Sequence, residues 1–346
     1  MRNNILILLL GFIFLLRLPF VDFTLEVENS LPFSLPLVDQ LRATLVENTK
    51  TLLPSPQAGL LLGMTIGVKD EIPYNYNQVL KKVGIVHVVV VSGQNLTLVA
   101  GFILNLAPFL GRKKTTLLSM AVVCFYLFLT GFQIPVIRAA IMFGMSSLGK
   151  LLGREGDDLR VLSITALAML IYNPLWVISI SFQLSFAATV GVVVVAPKLV
   201  NWVKFVPQGL KEDLLVTVAA QILTAPIIAF HFSQFSVAGF FVNALVLWTI
   251  PLIMISGAAV LLISLINHGV AQILAIIPGI FLTYFVDIIA LFNKPWASRY
   301  IDQFSIVQLI GIYATLASIY AILYKKTATQ NDLKKVSQET LSCRRG

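Results

Sequence analysis

Val83-Gly84-Ile85-Val86-His87-Val88-Val89-Val90-Val91-Ser92-Gly93-Gln94-Asn95 decides how this chain is read. The run opens a predominantly apolar stretch, 85–108, that is long enough to cross a bilayer as a helix. Yet it places His87, Ser92, Gly93, Gln94 and Asn95 at bilayer depth. Glycine beside three hydrogen-bonding side chains breaks a helix at little cost. The backbone groups freed by such a break are tolerated only where protein or water satisfies them. The stretch therefore predicts a broken helix in a membrane protein. Its polar groups either line a wet passage or bond neighbouring helices.

The rest of the chain supports the membrane reading. Hydrophobic residues make up 58% of the 346 residues and charged residues only 12%, with a mean hydropathy of +0.88. A soluble surface needs roughly a quarter of its residues charged, so most of this chain cannot face water. Disorder, a collagen-like fibre and a soluble nucleic-acid-binding domain are excluded. So is a disulfide scaffold, since the two cysteines are Cys124, inside an apolar run, and Cys343, near the C-terminus.

Apolar runs predict an all-α polytopic membrane protein of about ten transmembrane helices, at 5–23, 85–108, 115–131, 134–152, 160–172, 175–196, 214–230, 237–266, 270–292 and 306–324. Pro251 lies within the eighth, which predicts a kink or two half-helices there. Asn173-Pro174 predicts a tight turn. Residues 1–23 read as an uncleaved anchor, because no small-x-small cleavage site follows the apolar core. Residues 24–84 read as an external segment. Within it Leu37, Leu41, Leu45 and Leu52 recur at helical spacing opposite a polar face, so an amphipathic helix is expected on the bilayer surface or plugging a vestibule. A second short helix is expected from Asn75 to Val83. Residues 85–324 then form the multi-span domain, and 325–346 a polar, disordered tail.

The formal charge of +9 acts through its placement. Alternate connections carry Arg112, Lys113 and Lys114, then Lys150, Arg154 and Arg160, then Lys198, Lys204 and Lys211, and the tail adds more. Basic residues mark the cytoplasmic face. Both termini are thus expected in the cytoplasm of a bacterium, with the chain in its cytoplasmic membrane.

Three further places put polar groups at depth, where they are costly and point to function. Arg138 lies early in the span 134–152; it needs a carboxylate or water, and Asp287 is the acid deepest in a span, so an Arg138–Asp287 pair is one alternative. In Ser181-Phe182-Gln183-Leu184-Ser185, the stripe Ser181, Ser185 and Thr189 suits close helix packing, whereas Gln183 lies off the stripe and could face a lumen. Asn243 sits near Trp248 and Pro251 in a span expected to be broken. His231 and His268 read as loop or interface residues with no role.

Enzyme chemistry finds no support in these residues. Val91-Ser92-Gly93 lacks the first glycine of a G-x-S-G serine motif, and no histidine on a partner span is placed to activate Ser92. The three histidines form neither H-x-H nor H-E-x-x-H. A G-x-x-x-x-G-K-[ST] loop is absent. No catalytic residue, metal or cofactor is expected.

Gly59-Leu-Leu-Leu-Gly63, Val83-Gly84-Ile-Val-His87 and Ser92-Gly93-Gln94-Asn95 together resemble the start of the membrane core in the ComEC-type competence family. Pro135-Val-Ile-Arg138-Ala139-Ala140, Asn173-Pro174, Phe182-Gln183-Leu184-Ser185-Phe186 and Pro226 through Asn243 resemble later family segments in the same order. The resemblance covers about residues 40–260 and is specific through that shared order.

It implies an inner-membrane channel that carries single-stranded DNA into the cytoplasm during natural transformation. On that reading His87, Ser92, Gly93, Gln94, Asn95, Arg138, Gln183 and Asn243 line the path. A charged, base-bearing strand suits a hydrated, mildly cationic route with weak amide contacts. A cytoplasmic motor ATPase, a DNA receptor and a separate nuclease are the expected partners, besides the lipid bilayer. The sequence departs from the family in three respects. Asn95 stands where a second histidine is frequent, which removes a titrating group. Residues 24–84 are too short and helical for an OB-fold. No histidine cluster matches a metallo-β-lactamase-like domain, so the chain reads as the channel core alone. The same polar groups would also suit a small-solute transporter, or a scaffold whose amides only hold helices together.

Overall fold

The computed structural model describes residues 2–21, 35–89, 91–153, 157–202, 208–232, 234–236, 238–300 and 305–318. The predicted tail, part of the external segment and the side chains of His87 and Gln94 lie outside the described residues.

The described chain is helical, apart from one antiparallel pair of three-residue strands. It runs α1 (Arg2–Arg17), α2 (Pro36–Leu52), α3 (Gln57–Thr65), α4 (Tyr74–Val83), α5 (Val86–Val89), α6 (Gly93–Leu104), α7 (Ala107–Leu110), α8 (Arg112–Thr130) and α9 (Ile134–Leu151). Then follow α10 (Asp158–Tyr172), α11 (Ile180–Val190), α12 (Ala196–Trp202), α13 (Gln208–Phe232), β1 (Gln234–Ser236) and α14 (Ala238–Val246). The last elements are α15 (Thr249–Ser264), α16 (His268–Leu274), α17 (Ile276–Phe292), β2 (Ser298–Tyr300) and α18 (Ile306–Ser318).

By length and composition, Arg112–Thr130, Ile134–Leu151 and Ile180–Leu199 can each cross a membrane. The pair α16 and α17, bent by 45° at Ala275, makes a fourth if it crosses as one. Among the described residues that is fewer than the roughly ten transmembrane helices, some of them broken, predicted from apolar runs. Hydropathy measures how apolar a segment is, but does not see where its helix stops. Shorter apolar helices occupy Leu6–Arg17, Asn95–Leu104, Leu215–His231, Thr249–Ser264 and Ile306–Ser318.

The breaks have local causes. The one between α5 and α6 falls at Val91-Ser92, with Ser92 extended at φ −117° and ψ 170°. In the stretch 237–266 the break lies at Leu247-Trp248, not at Pro251. Pro251 is the third residue of α15, where a missing N–H costs no intrahelical bond. Asn173 caps the turn after α10 by accepting from the Leu175 N–H at 3.0 Å. Between α11 and α12 residues Gly191–Val195 form a π-helical turn. A Cβ at Gly191 would stand 2.5 Å from the Ala219 carbonyl oxygen, so α13 crosses the bulge backbone to backbone.

Four apolar clusters result among the described residues. In one, α3, α4, α5, α14, α15 and α17 enclose a core that includes Leu60, Leu61, Val83, Val242, Ile253 and Phe285. In the second, α6, α8 and α9 pack around Leu96, Val123 and Val136; in the third, α9, α10 and α11 pack around Ile137, Trp176 and Phe182. In the fourth, α2, α3 and α15 meet at Leu45, Leu62 and Leu261. The amphipathic helix forms as α2. It turns Val38, Leu45 and Thr49 inward against the protein, leaving Leu37 81% exposed. Asn75–Val83 is helical as expected. The sequence reading gave no helix to 57–65, yet α3 is buried from Ala58 to Thr65.

Candidate functional site

The site begins at the end of α3. A helix leaves its last carbonyls without intrahelical partners. Here two side chains from other segments take those of Met64 and Thr65, while a third takes that of Gly67 just beyond the helix. Asn95 Nδ2 donates to the Met64 carbonyl at 2.8 Å, the Tyr126 hydroxyl to the Thr65 carbonyl at 2.8 Å, and Gln133 Nε2 to the Gly67 carbonyl at 2.9 Å. Gly67 has φ +76°, and a Cβ there would meet Gln133 Nε2 at 2.7 Å. Only glycine accommodates that approach. These bonds fix the start of α6, the C-terminal end of α8 and the start of α9 around the end of α3.

Arg138 follows on α9. Its side chain is 9% exposed, and Nε has no hydrogen-bond partner. Among the described residues the ion pairs are Lys50–Glu71 and Arg160–Asp157, so Arg138 is paired with no carboxylate. Asp287, the candidate partner, is exposed on α17. The guanidinium carbon lies 5.8 Å from the centre of the Phe186 ring. A cation–π contact supplies about 2 kcal/mol when desolvated, whereas burying an ion costs several. Phe186 alone does not compensate Arg138.

Glycine allows the approach on the other side. A Cβ at Gly93 would stand 2.8 Å from Arg138 Nη2 and 3.1 Å from the Ala139 Cβ. The helix break and the arginine, read separately from the sequence, are thus in contact. Phe186 belongs to α11 and also packs on Phe182 at 4.3 Å between ring centres, with Gln183 one turn before it on the same helix. Gln183 Nε2 donates to the Val177 carbonyl at 2.9 Å, and its Oε1 accepts from His231 Nε2 at 2.8 Å. His231 therefore has a partner on another helix, contrary to the sequence reading that gave it no role.

The other predicted residues are placed differently. Ser92 donates to Asn95 Oδ1 at 3.1 Å, and Asn95 is 2% exposed with its amide turned to α3. Asn243 is equally buried, on α14 beside the cluster that includes Val242, and its Oδ1 has no partner. His87 belongs to α5 and Gln94 to α6 by backbone. The structure thus brings together Gly93 and Arg138, with Ser92 next in the chain, engages both ends of the Gln183 amide with Val177 and His231, and leaves Asn95 and Asn243 facing protein. Sequence reasoning missed Phe186, His231 and the α3 carbonyls. Phe186 stood in the quoted Phe182–Phe186 run, but its partner cation lies on another helix. Among the described residues no three His, Cys, Asp or Glu side chains converge as a metal site would require.

Comparison with known proteins fits this arrangement. ComE operon protein 3 of Bacillus subtilis (strain 168) is 29% identical over 65% of this chain and 29% of its own length. The uncharacterized protein YcaI of Escherichia coli (strain K12) is 24% identical over 66% of the chain and 32% of its own. An uncharacterized protein of Aquifex aeolicus (strain VF5) is 33% identical over 46% of the chain and 37% of its own. The chain thus spans well under half the length of these relatives. No solved structure matches it. A family model described as competence protein matches residues 64–326, from the end of α3 onward, which includes Arg138 and every residue placed around it. The resemblance read from the residues holds: this chain belongs to the competence protein family.

Proposed function

We propose that this chain is a membrane channel passing single-stranded DNA into the cytoplasm during natural transformation. Family membership supports a role in DNA uptake. The observation that carries the finer reading is Arg138, an enclosed cation with no carboxylate partner among the described residues, set against a helix break. A structural arginine would be expected to find a carboxylate, since an unpaired buried charge is destabilising. An arginine that meets a polyanion in transit needs to be left without one. Phe186 offers a π-face beside the cation, suited to sequence-tolerant contact with bases.

On this reading the protein sits in the cytoplasmic membrane with both termini inside, as its basic connections suggest. It would work with a cytoplasmic motor ATPase, a DNA receptor and a separate nuclease. The test is to replace the native copy by Arg138→Ala and Arg138→Lys in the host, with any second copy removed. Transformation should be lost with alanine and partly kept with lysine, at unchanged abundance in the membrane. Wild-type transformation by the alanine variant defeats the assignment of Arg138 to the path.

A further inference from the structure

The N-terminus of a helix carries partial positive charge and free N–H groups, and acidic residues or capping oxygens normally answer both. One such end lies at Arg138. α6 begins at Gly93, and a Cβ there would stand 2.8 Å from Arg138 Nη2. The helix has no acidic residue in its first turn, and its N-cap side chain does not cap it: Ser92 instead donates to Asn95 Oδ1. Against this positive end the fold sets the Arg138 guanidinium, nine-tenths buried and with Nε unpartnered.

Cations are unfavourable at helix N-termini, so the helix end and the guanidinium repel each other unless an anion lies between them. We infer that the start of α6 and Arg138 form a binding site for one phosphodiester oxyanion, the guanidinium approaching closely because Gly93 carries no side chain. The inference rests on the channel reading and makes it narrower: the strand is held one phosphate at a time. A single phosphate at a helix start with one guanidinium is a weak, exchangeable contact, as transit requires. The arginine fork can take two oxygens of the group, while first-turn amides face a third position.

The test uses the full chain in phosphatidylcholine nanodiscs, with fluorescein-labelled oligothymidylate as probe and its uncharged methylphosphonate analogue as control. Wild type should bind the charged probe more tightly than the analogue. Arg138→Gln should weaken charged-probe binding about tenfold or more. It should also lower the salt slope of binding by about 0.7, the value for one phosphate contact on a single strand. Arg138→Lys should keep the slope with intermediate affinity. Gly93→Ala should weaken binding by crowding the guanidinium, while leaving thermal unfolding near wild type. If Arg138→Gln proves unfolded, Gly93→Ala and the comparison of the two probes on wild type decide.

Equal binding of the two probes, or an unchanged slope in folded Arg138→Gln, overturns the site. If phosphatidylglycerol in the nanodisc abolishes the Arg138-dependent part of binding, the occupant is a lipid headgroup phosphate and the strand assignment falls. An unchanged slope with transformation lost in Arg138→Ala removes the phosphate site but leaves the channel. Wild-type transformation in Arg138→Ala defeats the channel assignment of this residue itself.

Discussion

His231 Nε2 lies 2.8 Å from Gln183 Oε1, and this bond joins α13 to α11 inside a helix bundle. Because the Gln183 oxygen accepts, His231 must carry its proton on Nε2, and the neutral imidazole satisfies the pair. The other end of the amide holds the Val177 carbonyl. Both halves of Gln183 are occupied in this state. For Gln183 to face a passing strand, the His231 bond must open.

A double-mutant cycle on Gln183→Ala and His231→Ala measures that bond. Interhelical hydrogen bonds of this type couple by about 0.6 kcal/mol on average and by at most about 1.7 kcal/mol. A coupling within that range is expected in thermal or denaturant unfolding of the purified protein. Strict additivity of the two single changes would show that the pair does not form.

Tyr126→Phe keeps the ring and removes the hydroxyl that holds the Thr65 carbonyl. The carbonyl is then left enclosed without that donor, at a cost of about 1–3 kcal/mol. The unfolding temperature should fall measurably. The same change at exposed Tyr172 should not lower it.

Alkaline pH separates two groups outside the membrane-spanning segments. Desolvation, partly offset by Asp70, lowers the pKa of Lys69 from its ordinary 10.5. Burial, aided by the charge of Asp287, raises that of Tyr76 from its ordinary 10.0. Between the folded and unfolded pKa of Lys69 the unfolded chain binds more protons, so this residue makes stability rise with pH up to about 10.5. Above pH 10.0 the unfolded chain loses the tyrosine proton first, so Tyr76 makes stability fall. In an alkaline series of unfolding midpoints, Lys69→Gln should remove the rise and Tyr76→Phe the fall. A variant whose profile overlies wild type shows that its residue contributes nothing.

The channel reading predicts water around Arg138, which can be detected chemically. With Cys124 and Cys343 replaced by serine, Ser92→Cys and Phe186→Cys should react with a charged thiol reagent while DNA is being taken up. Leu61→Cys, inside α3, should stay unlabelled. Protection of both positions in every state would mean that the polar groups around Arg138 hold a dry bundle together.

What could be read from the sequence followed local signals. Gly93 beside Ser92 announced the helix break, Asn173-Pro174 the turn, and the leucine spacing of 37–52 the helix α2. Arg138 and Gln183 stood out because polar groups are scarce at depth. What stayed hidden depended on partners distant along the chain. His231 looked idle because its acceptor lies 48 residues away. Asn95 looked like a lining residue because the Met64 carbonyl carries no mark in the sequence. The segment 57–65 was missed as a helix because it is uniformly apolar, so no polar face gives it a helical period. Among the described residues fewer helices are long enough to cross a membrane than the roughly ten predicted. The break predicted near Pro251 falls at Leu247-Trp248, and hydropathy does not register that Ala275 interrupts its helix.

The buried helix α3 bears on how the protein is made. Residues 57–65 leave the ribosome well before residues 249–292, which supply α15, α16 and α17. Until those arrive, a segment too short to integrate by itself must wait at the lipid headgroups without its neighbours. Closure of the C-terminal helices around it is then a late event of biogenesis. Damage to those helices would first show as a protein that inserts normally and is cleared by quality control.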